Sequence, residues 1–427
     1  MGLIITILSL LIALSILILV HEFGHLIAAK RSRVVVEEFG MGYPPRLLTL
    51  WKSNGSIVID GSRIVVPRDF SLPEGLKALS RVSFETEEDS KGRAVLSRIE
   101  PVAEGNSGEL TGRIDLLDPG TKYSVNAVPF GGFTKMLGEE DPSYPGSLAS
   151  KSKLTRIVVL AAGSTMNLLL AIVFFALALM VGAPTVASPE NAVINSVSPG
   201  SPAEVAELKS GDLILFADDV EILTIESLQE HTQAHLGEPL VLTVQRGERI
   251  LEITLVPRVE PPPGEGPIGI GLSPRITIER YPWHLAMWQG AKDTVTLVGF
   301  VITVPVQVLR GLIPADLARP VGPVGVGQIV GEAVQYSLDS GWWYPVMQMM
   351  GTLSVALAIT NLLPLPGMDG GRILFVIIEG VRGRRLDPAK EGMVHLVGMM
   401  LLVALMLFIT WQDVTNPLPA LDWGSLF

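Results

Sequence analysis

Residues 2–20, GLIITILSLLIALSILILV, contain no charged side chain. A bilayer-spanning helix needs about 20 such residues, so this run commits the chain to a membrane. A cleaved secretory signal would also be apolar. Here no basic segment precedes the run, it exceeds the usual signal core, and it continues directly into HEFGHLIAAKRSR. A retained helix is the better reading. Three further blocks have the same character: 157–181 (with Asn167 but no charge), 345–363 and 393–411. A weaker stretch, 294–312, is interrupted by Pro305 and flanked by Asp293 and Arg310. We expect four spans, with the weaker stretch lying against the membrane.

Composition agrees. Only 18% of the residues are charged and 48% are hydrophobic, against about 25% charged in a soluble domain. The net charge of −11 argues against nucleic acid as a partner. The chain has no cysteine, so thiolate metal sites, iron–sulfur clusters and a cysteine nucleophile are excluded. A metal would have to be held by carboxylates and by some of six histidines.

Lys and Arg beside the spans set the orientation. Lys30, Arg31, Arg33, Lys151, Lys153, Arg156, Arg372, Arg382, Arg384 and Arg385 all fall on one side of a four-span chain. That side is then cytoplasmic, and both termini and the region between spans two and three lie outside, in a multi-pass cell-membrane protein. The spans fall in 1–30, 152–183, 342–390 (which also holds NLLPLPGMDGG and a cytoplasmic loop) and 391–416. Residues 31–151 read as a membrane-associated β region carrying a polar insert at 52–123, with alternating apolar residues and glycine turns. Residues 184–259 form an outer domain, and 260–341 a linker with an amphipathic stretch.

HEFGH at 21–25 carries the chemistry. On a helix His21 and His25 share a face one turn apart, the spacing at which two imidazoles take adjacent corners of a tetrahedral zinc. Glu22 can then act as general base. The competing reading is a pair of interfacial histidines with a snorkelling glutamate. Ionisable residues ending an apolar span are costly and point to function. A third ligand is needed. His231 and His235, in HTQAH, lack an adjacent base and read as surface residues of the outer domain; His284 reads as interfacial. His395, in the last span, is the rival among histidines. Asp369 is the better candidate. It lies in NLLPLPGMDGG, where Pro364 and Pro366 break the helix and Gly367, Gly370 and Gly371 let the backbone turn. Irregular backbone at membrane depth implies a protein-lined or wet cavity.

The outer segment GSPAEVAELKSGDLI resembles a PDZ domain, with Ala192–Val197 expected to supply part of a peptide-binding edge and EPPPGEGP a stiff connector leaving the domain. HEFGH ending a first span, this domain, and NLLPLPGMDGG in a later span together resemble the site-2 protease family, in its bacterial, sigma-E-pathway form. PFGGFTKMLGEED (129–141) and RPVGPVGVGQIVG (319–331) extend the likeness. The resemblance implies a polytopic α-helical membrane protein with a membrane-dipping β element and one PDZ-like α+β domain. It implies a zinc endopeptidase that cuts transmembrane protein substrates, such as anti-sigma-factor-like proteins or remnant signal peptides, with the PDZ-like domain regulating access. It also implies His21, His25 and Asp369 as zinc ligands and Glu22 as base, with Asn361 beside the catalytic centre. Asn167, Gly131, Gly132 and Phe133 would contact substrate. Two departures are Ser164 where the family has proline and Met368 where it has leucine. The alternative classes are a membrane-anchored PDZ scaffold without catalysis and a transporter. The complete ligand-plus-base set and the lack of an inverted repeat weigh against them.

Overall fold

A computed structural model describes the chain except residues 1, 74, 103–109, 140, 188–190, 315–318, 420, 422 and 424–427. Glu140 of the 129–141 motif therefore lies outside the described residues. The chain divides into two compact units: Met1–Ala178 with Pro282–Trp423, and Leu179–Tyr281.

The first unit begins with α1 (Gly2–Arg31), which ends on Lys30 and Arg31, cations that complement the helix dipole. Next come β1 (Val36–Lys52), the barrel strands β2 (Gly55–Ile59), β3 (Ser62–Val66), β4 (Arg81–Glu88), β5 (Ala94–Pro101) and β6 (Thr111–Asp118), then β7 (Lys122–Met136) and α2 (Lys153–Gly182). The polar insert is more than a loose run of strands. It closes as a barrel, β2-β3-β5-β4-β6, around Ile57, Ile59, Ile64, Val66, Val82, Leu96, Ile99 and Ile114. Alternation along β2 supplies two of these side chains, as a half-buried strand requires. β1 and β7 pair with each other and are bent. Residues 38–41 face 132–135 on one side and 122–125 on the other, and 46–52 add on against 122–126.

The second unit holds β8 (Ala183–Val186), β9 (Ala192–Val197), α3 (Pro202–Val205), β10 (Leu213–Ala217), β11 (Val220–Glu221), α4 (Ile225–Ala234), β12 (Leu240–Arg246), β13 (Arg249–Leu255), β14 (Ile270–Pro274) and β15 (Ile276–Glu279). Its main sheet runs β13-β12-β10-β9-β14. This differs from the sequence reading in two ways. The sheet takes in β14, beyond the expected end at 259, so the proline-rich segment is a loop within the unit. β9 is paired on both sides, by β10 and β14, so its backbone offers no free edge. A groove of about 290 Å³ instead runs between Leu228, Gln229 and Thr232 of α4 and residues 266–272.

The Lys-Ser-Gly-Asp turn has a specific anchor. Asp212 is fully buried and accepts from Arg246 Nε at 2.7 Å and from the Lys209 amide at 3.0 Å. Burial pushes its carboxyl up, but Arg246 and the Lys209 N–H outweigh this and hold it below the usual carboxylate range. The unfolded chain therefore takes up this proton first. The stabilisation is complete above the unfolded pKa of about 3.9 and is lost as pH falls toward the folded value. Asp212→Asn should lower the stability of this unit by on the order of 2 kcal/mol near neutrality. Amide exchange of β10 and β12 measures this. The gap between variant and wild type should narrow in acid; a gap independent of pH would contradict the assignment.

The first unit resumes with α5 (Trp283–Leu309), α6 (Pro323–Ser340), α7 (Tyr344–Leu362), α8 (Asp369–Arg382) and α9 (Pro388–Thr415). Among the described residues five helices, α1, α2, α5, α7 and α9, are long and apolar enough to cross a membrane, one more than expected. The extra one is the 294–312 stretch, which folds as part of a continuous helix with Pro305 inside it.

Neighbour contacts fix the helix directions. Ser354 and Gly351 of α7 meet Asn167 and Phe175 of α2, so these two helices are antiparallel. Gly290 of α5 lies on Ile172 and Ala176 of α2, with Leu297 and Val298 packed near Leu168 and Ala171. Gly327 and Gly331 of α6 meet Leu10 and Thr6 of α1, again antiparallel. The 319–331 motif is thus the small-residue face of α6, where Gly-x-x-x-Gly spacing permits close approach. Helices α1, α5 and α7 run one way, and α2, α6 and α9 the other. Since α6 returns the chain after α5, α7 starts from the side α2 leaves, and the even alternation survives the additional helix. The outer faces stay apolar, with Leu396, Met400, Leu401, Leu407 and Phe408 of α9 all more than half exposed. Bare helical faces of this kind are stable in lipid, because every backbone group is satisfied within the helix.

Candidate active site

The site forms where three helices meet. HEFGH occupies the last third of α1. Gly24 lets α1 approach α2 closely: a Cβ there would stand 2.4 Å from the Ala162 carbonyl oxygen. Its neighbours His21 and His25 are thereby laid across Gly163. Asp369 arrives from α8. Beyond α7 the chain turns through 363–368, and Gly370 and Gly371 fold the first turn of α8 onto it. A Cβ on Gly370 would stand 2.3 Å from the Leu362 and Leu363 carbonyl oxygens, and one on Gly371 2.2 Å from that of Leu365. Both glycines are required by sterics. The aspartate begins a helix rather than ending a span as expected. Ion pairs hold α8 in place: Arg156 of α2 donates to Glu379 at 2.6 Å with both side chains about nine-tenths buried, and Arg372 pairs with Glu139.

Three donor atoms converge. His21 Nε2 is 3.0 Å from Asp369 Oδ2, His25 Nε2 is 3.2 Å from the same oxygen, and the two Nε2 atoms are 3.2 Å apart. Donors about 2.0–2.1 Å from a common tetrahedral centre would be roughly 3.3 Å apart, so the set fits one small cation. The chemistry fits too. His25 Nδ1 donates to the Val159 carbonyl at 2.9 Å, which fixes its tautomer and leaves Nε2 as a lone-pair donor. Opposite the three donors stands Gly163, where a Cβ would lie 2.4 Å from His25 Nε2 and 2.6 Å from His21 Nε2. The histidines are buried, and Asp369 keeps 18% of its side chain exposed.

A cleft of about 300 Å³ opens onto this group. His21, Glu22, Tyr43, Asn361, Met368 and Asp369 are among its lining residues. Glu22 and Asn361 thus stand with the three ligand candidates. Asn167 does not line the cleft: it is fully buried, with Nδ2 3.4 Å from His21 Nδ1. Segment 131–136 of β7 runs beside α1. Thr134 Oγ1 donates to the Glu22 carbonyl at 2.9 Å, and Gly132 faces the Glu22 Cγ. Gly131 has a φ of +78° and lies under the Tyr43 ring, while the Phe133 ring covers Gly40. Tyr43 and the Val159 carbonyl were not anticipated. No sequence spacing marks them, because only the bend of β1 and the crossing of α1 with α2 bring them in.

The rival ligand His395 is engaged elsewhere, accepting from the Gly367 amide at 3.0 Å, and belongs to no donor cluster among the described residues. A second cluster does exist, in the smaller unit: Asp218, His231 and His235. Asp218 Oδ1 accepts from the Val241 amide, and its Oδ2 pairs with His231 at 2.9 Å. That carboxylate ties a turn to α4 and β12.

A His-x-x-x-His pair, a third carboxylate donor and a glutamate beside them, held among apolar helices, are the parts of a membrane metallopeptidase. The chain belongs to peptidase family M50, the site-2 protease family. The family's model matches residues 9–58 and 114–405 and skips most of the barrel. It is 29% identical over 442 residues to the zinc metalloprotease RasP of Geobacillus kaustophilus, covering 96% of this chain and 97% of that protein. It is 31% identical to a putative zinc metalloprotease of Clostridium perfringens, CPE1693, over 96% and 98% of the two chains. Among solved structures, the PDZ domain of the SdrC-like protein Lmo2051 from Listeria monocytogenes is 20% identical over 19% of this chain and 87% of that one, with a TM-score of 0.18.

Proposed function

We propose that this chain is an intramembrane zinc metalloprotease that hydrolyses peptide bonds within the transmembrane segments of membrane proteins. The convergence of His21, His25 and Asp369 donors within 3.2 Å of one another, in a cleft shared with Glu22, carries this reading. A scaffold or a transporter has no use for that combination. Zinc, when bound, supplies a Lewis acid that polarises the scissile carbonyl and makes water acidic enough to attack near neutrality. Glu22 takes the proton from the attacking water and returns it to the leaving amine. Asn361 offers its amide to the developing oxyanion.

A substrate helix must unwind before its carbonyls can reach the site. Among the described residues, 132–136 pair on one side only, with β1. Their other side can accept an extended substrate beside Glu22, by the strand addition that sheet edges allow. Gly131 and Gly132 add no side chain of their own to that approach, which the Tyr43 ring flanks. The basic residues at the site end of the bundle, Lys30, Arg31, Lys153 and Arg372 among them, favour placing that end toward the cytoplasm. The 179–281 unit is then outside the cell membrane. We read it as a PDZ-like domain that excludes substrates whose outer parts have not been trimmed. Deleting 187–275, which removes the whole β9–β14 sheet and leaves β8 and β15 to pair, should increase cleavage of untrimmed substrates; unchanged selectivity would refute that role.

The function itself is tested by incubating the purified chain with a single-span model substrate. Cleavage inside the apolar segment should stop with a zinc chelator and return on zinc addition. Cleavage indifferent to chelation would overturn the proposal.

A further inference from the structure

One face of α2 forms the back wall of the metal site. Val159, Gly163 and Asn167 follow one another at intervals of four residues, so they lie in line on successive turns. The Val159 carbonyl accepts from His25 Nδ1 at 2.9 Å, and Gly163 leaves room for both Nε2 atoms. Asn167 faces the other histidine, with its Nδ2 3.4 Å from His21 Nδ1. Asn167 is fully exposed to neither cleft nor lipid: it is 0% accessible, and its backbone carbonyl accepts from Ser354 Oγ at 2.7 Å.

That amide orientation leaves two faults. The Asn167 Oδ1 is buried with no hydrogen-bond partner, which costs the desolvation of an acceptor. Further, a histidine that offers Nε2 to a metal carries its proton on Nδ1, so two N–H groups would face each other. Amide oxygen and nitrogen are distinguished by the hydrogen bonds they make. Turning the amide by 180° cures the second fault, because Oδ1 then stands where Nδ2 is and accepts the His21 proton.

We infer that Asn167 is a positioning residue for the metal site: its side-chain carbonyl accepts from His21 Nδ1–H and fixes that ring's tautomer and orientation. α2 thereby orients both histidines, one through a backbone carbonyl and one through a side chain. This replaces the substrate contact expected for Asn167 and rests on the reading of His21 as a ligand.

Two substitutions separate an acceptor from a donor or a mere filler. Asn167→Leu keeps the volume and removes the acceptor. Asn167→Asp keeps the acceptor and removes the donor. Zinc affinity of each full-length variant is measured by competition with a chromophoric chelator, with wild type and His21→Ala alongside. Losing an outer-shell partner costs about 10- to 100-fold in metal affinity. We expect that loss for leucine and near-wild-type affinity for aspartate. If Asn167→Leu does not fold, Asn167→Ala is read in the same way. Leucine binding zinc as wild type does, or aspartate weakening it as much as leucine, would overturn the inference. A wild type without zinc, or His21→Ala retaining it, would instead refute the metal site itself.

Discussion

Gly163→Ala is expected to strip the metal and abolish cleavage while the chain still folds. The new Cβ would stand 2.4 Å from His25 Nε2 and 2.6 Å from His21 Nε2, far inside contact distance. Neither ring can step back easily. His25 is tied to the Val159 carbonyl, and both histidines are buried against the helix that carries the new methyl group. In a close-packed interior such an insertion displaces its neighbours. A shift of about 1 Å at a reacting centre costs on the order of 100-fold in rate. Alanine is also the better helix former, by about 1 kcal/mol, so α2 itself should not suffer. Metal analysis and a cleavage assay on one preparation check this. Full zinc content in the variant would show that the two Nε2 atoms do not share a metal.

Glu22→Gln should separate chemistry from metal binding. Glu22 lines the cleft with His21, Asn361 and Asp369 but is not one of the three converging donors. Glutamine keeps the shape and cannot take a proton. A general base contributes about 10²- to 10⁴-fold, so cleavage should fall by that much. Zinc should stay, since His21, His25 and Asp369 are untouched. A variant that loses zinc together with activity would place Glu22 among the ligands.

The parts of this site differ in how far the sequence reveals them. His21 and His25 are legible because helical spacing is a local property, and an apolar run of the length of 2–20 leaves no doubt about the helix. Asp369 is legible because two prolines and three glycines in an apolar block have few explanations other than a turn at depth. The four-residue line of Val159, Gly163 and Asn167 is regular too, yet it carries no signal. Apolar helices are full of such spacings, and only the crossing at Gly24 selects this one. Tyr43 depends on the bend of β1, a tertiary feature.

Errors of extent have physical causes as well. The second unit extends to β15 rather than ending at 259, because β9 needs β14 as its second partner and a proline-rich loop can connect strands as readily as it can separate domains. The 294–312 stretch reads as weak because Pro305 interrupts it. Proline is tolerated in a membrane helix when the freed backbone groups find local partners, and α5 continues through it. The barrel is visible as alternating strands, but its closure by the β2–β6 pairing is long-range and no local pattern encodes it.

In the reading proposed above, one zinc held by His21, His25 and Asp369 serves hydrolysis through Glu22. That reading is tested most directly by measuring zinc per chain and cleavage of a transmembrane substrate in wild type and Glu22→Gln, purified side by side. About one zinc in each protein and cleavage in wild type alone are expected. Equal cleavage by the two proteins, or a wild type that cleaves without bound metal, would contradict that reading.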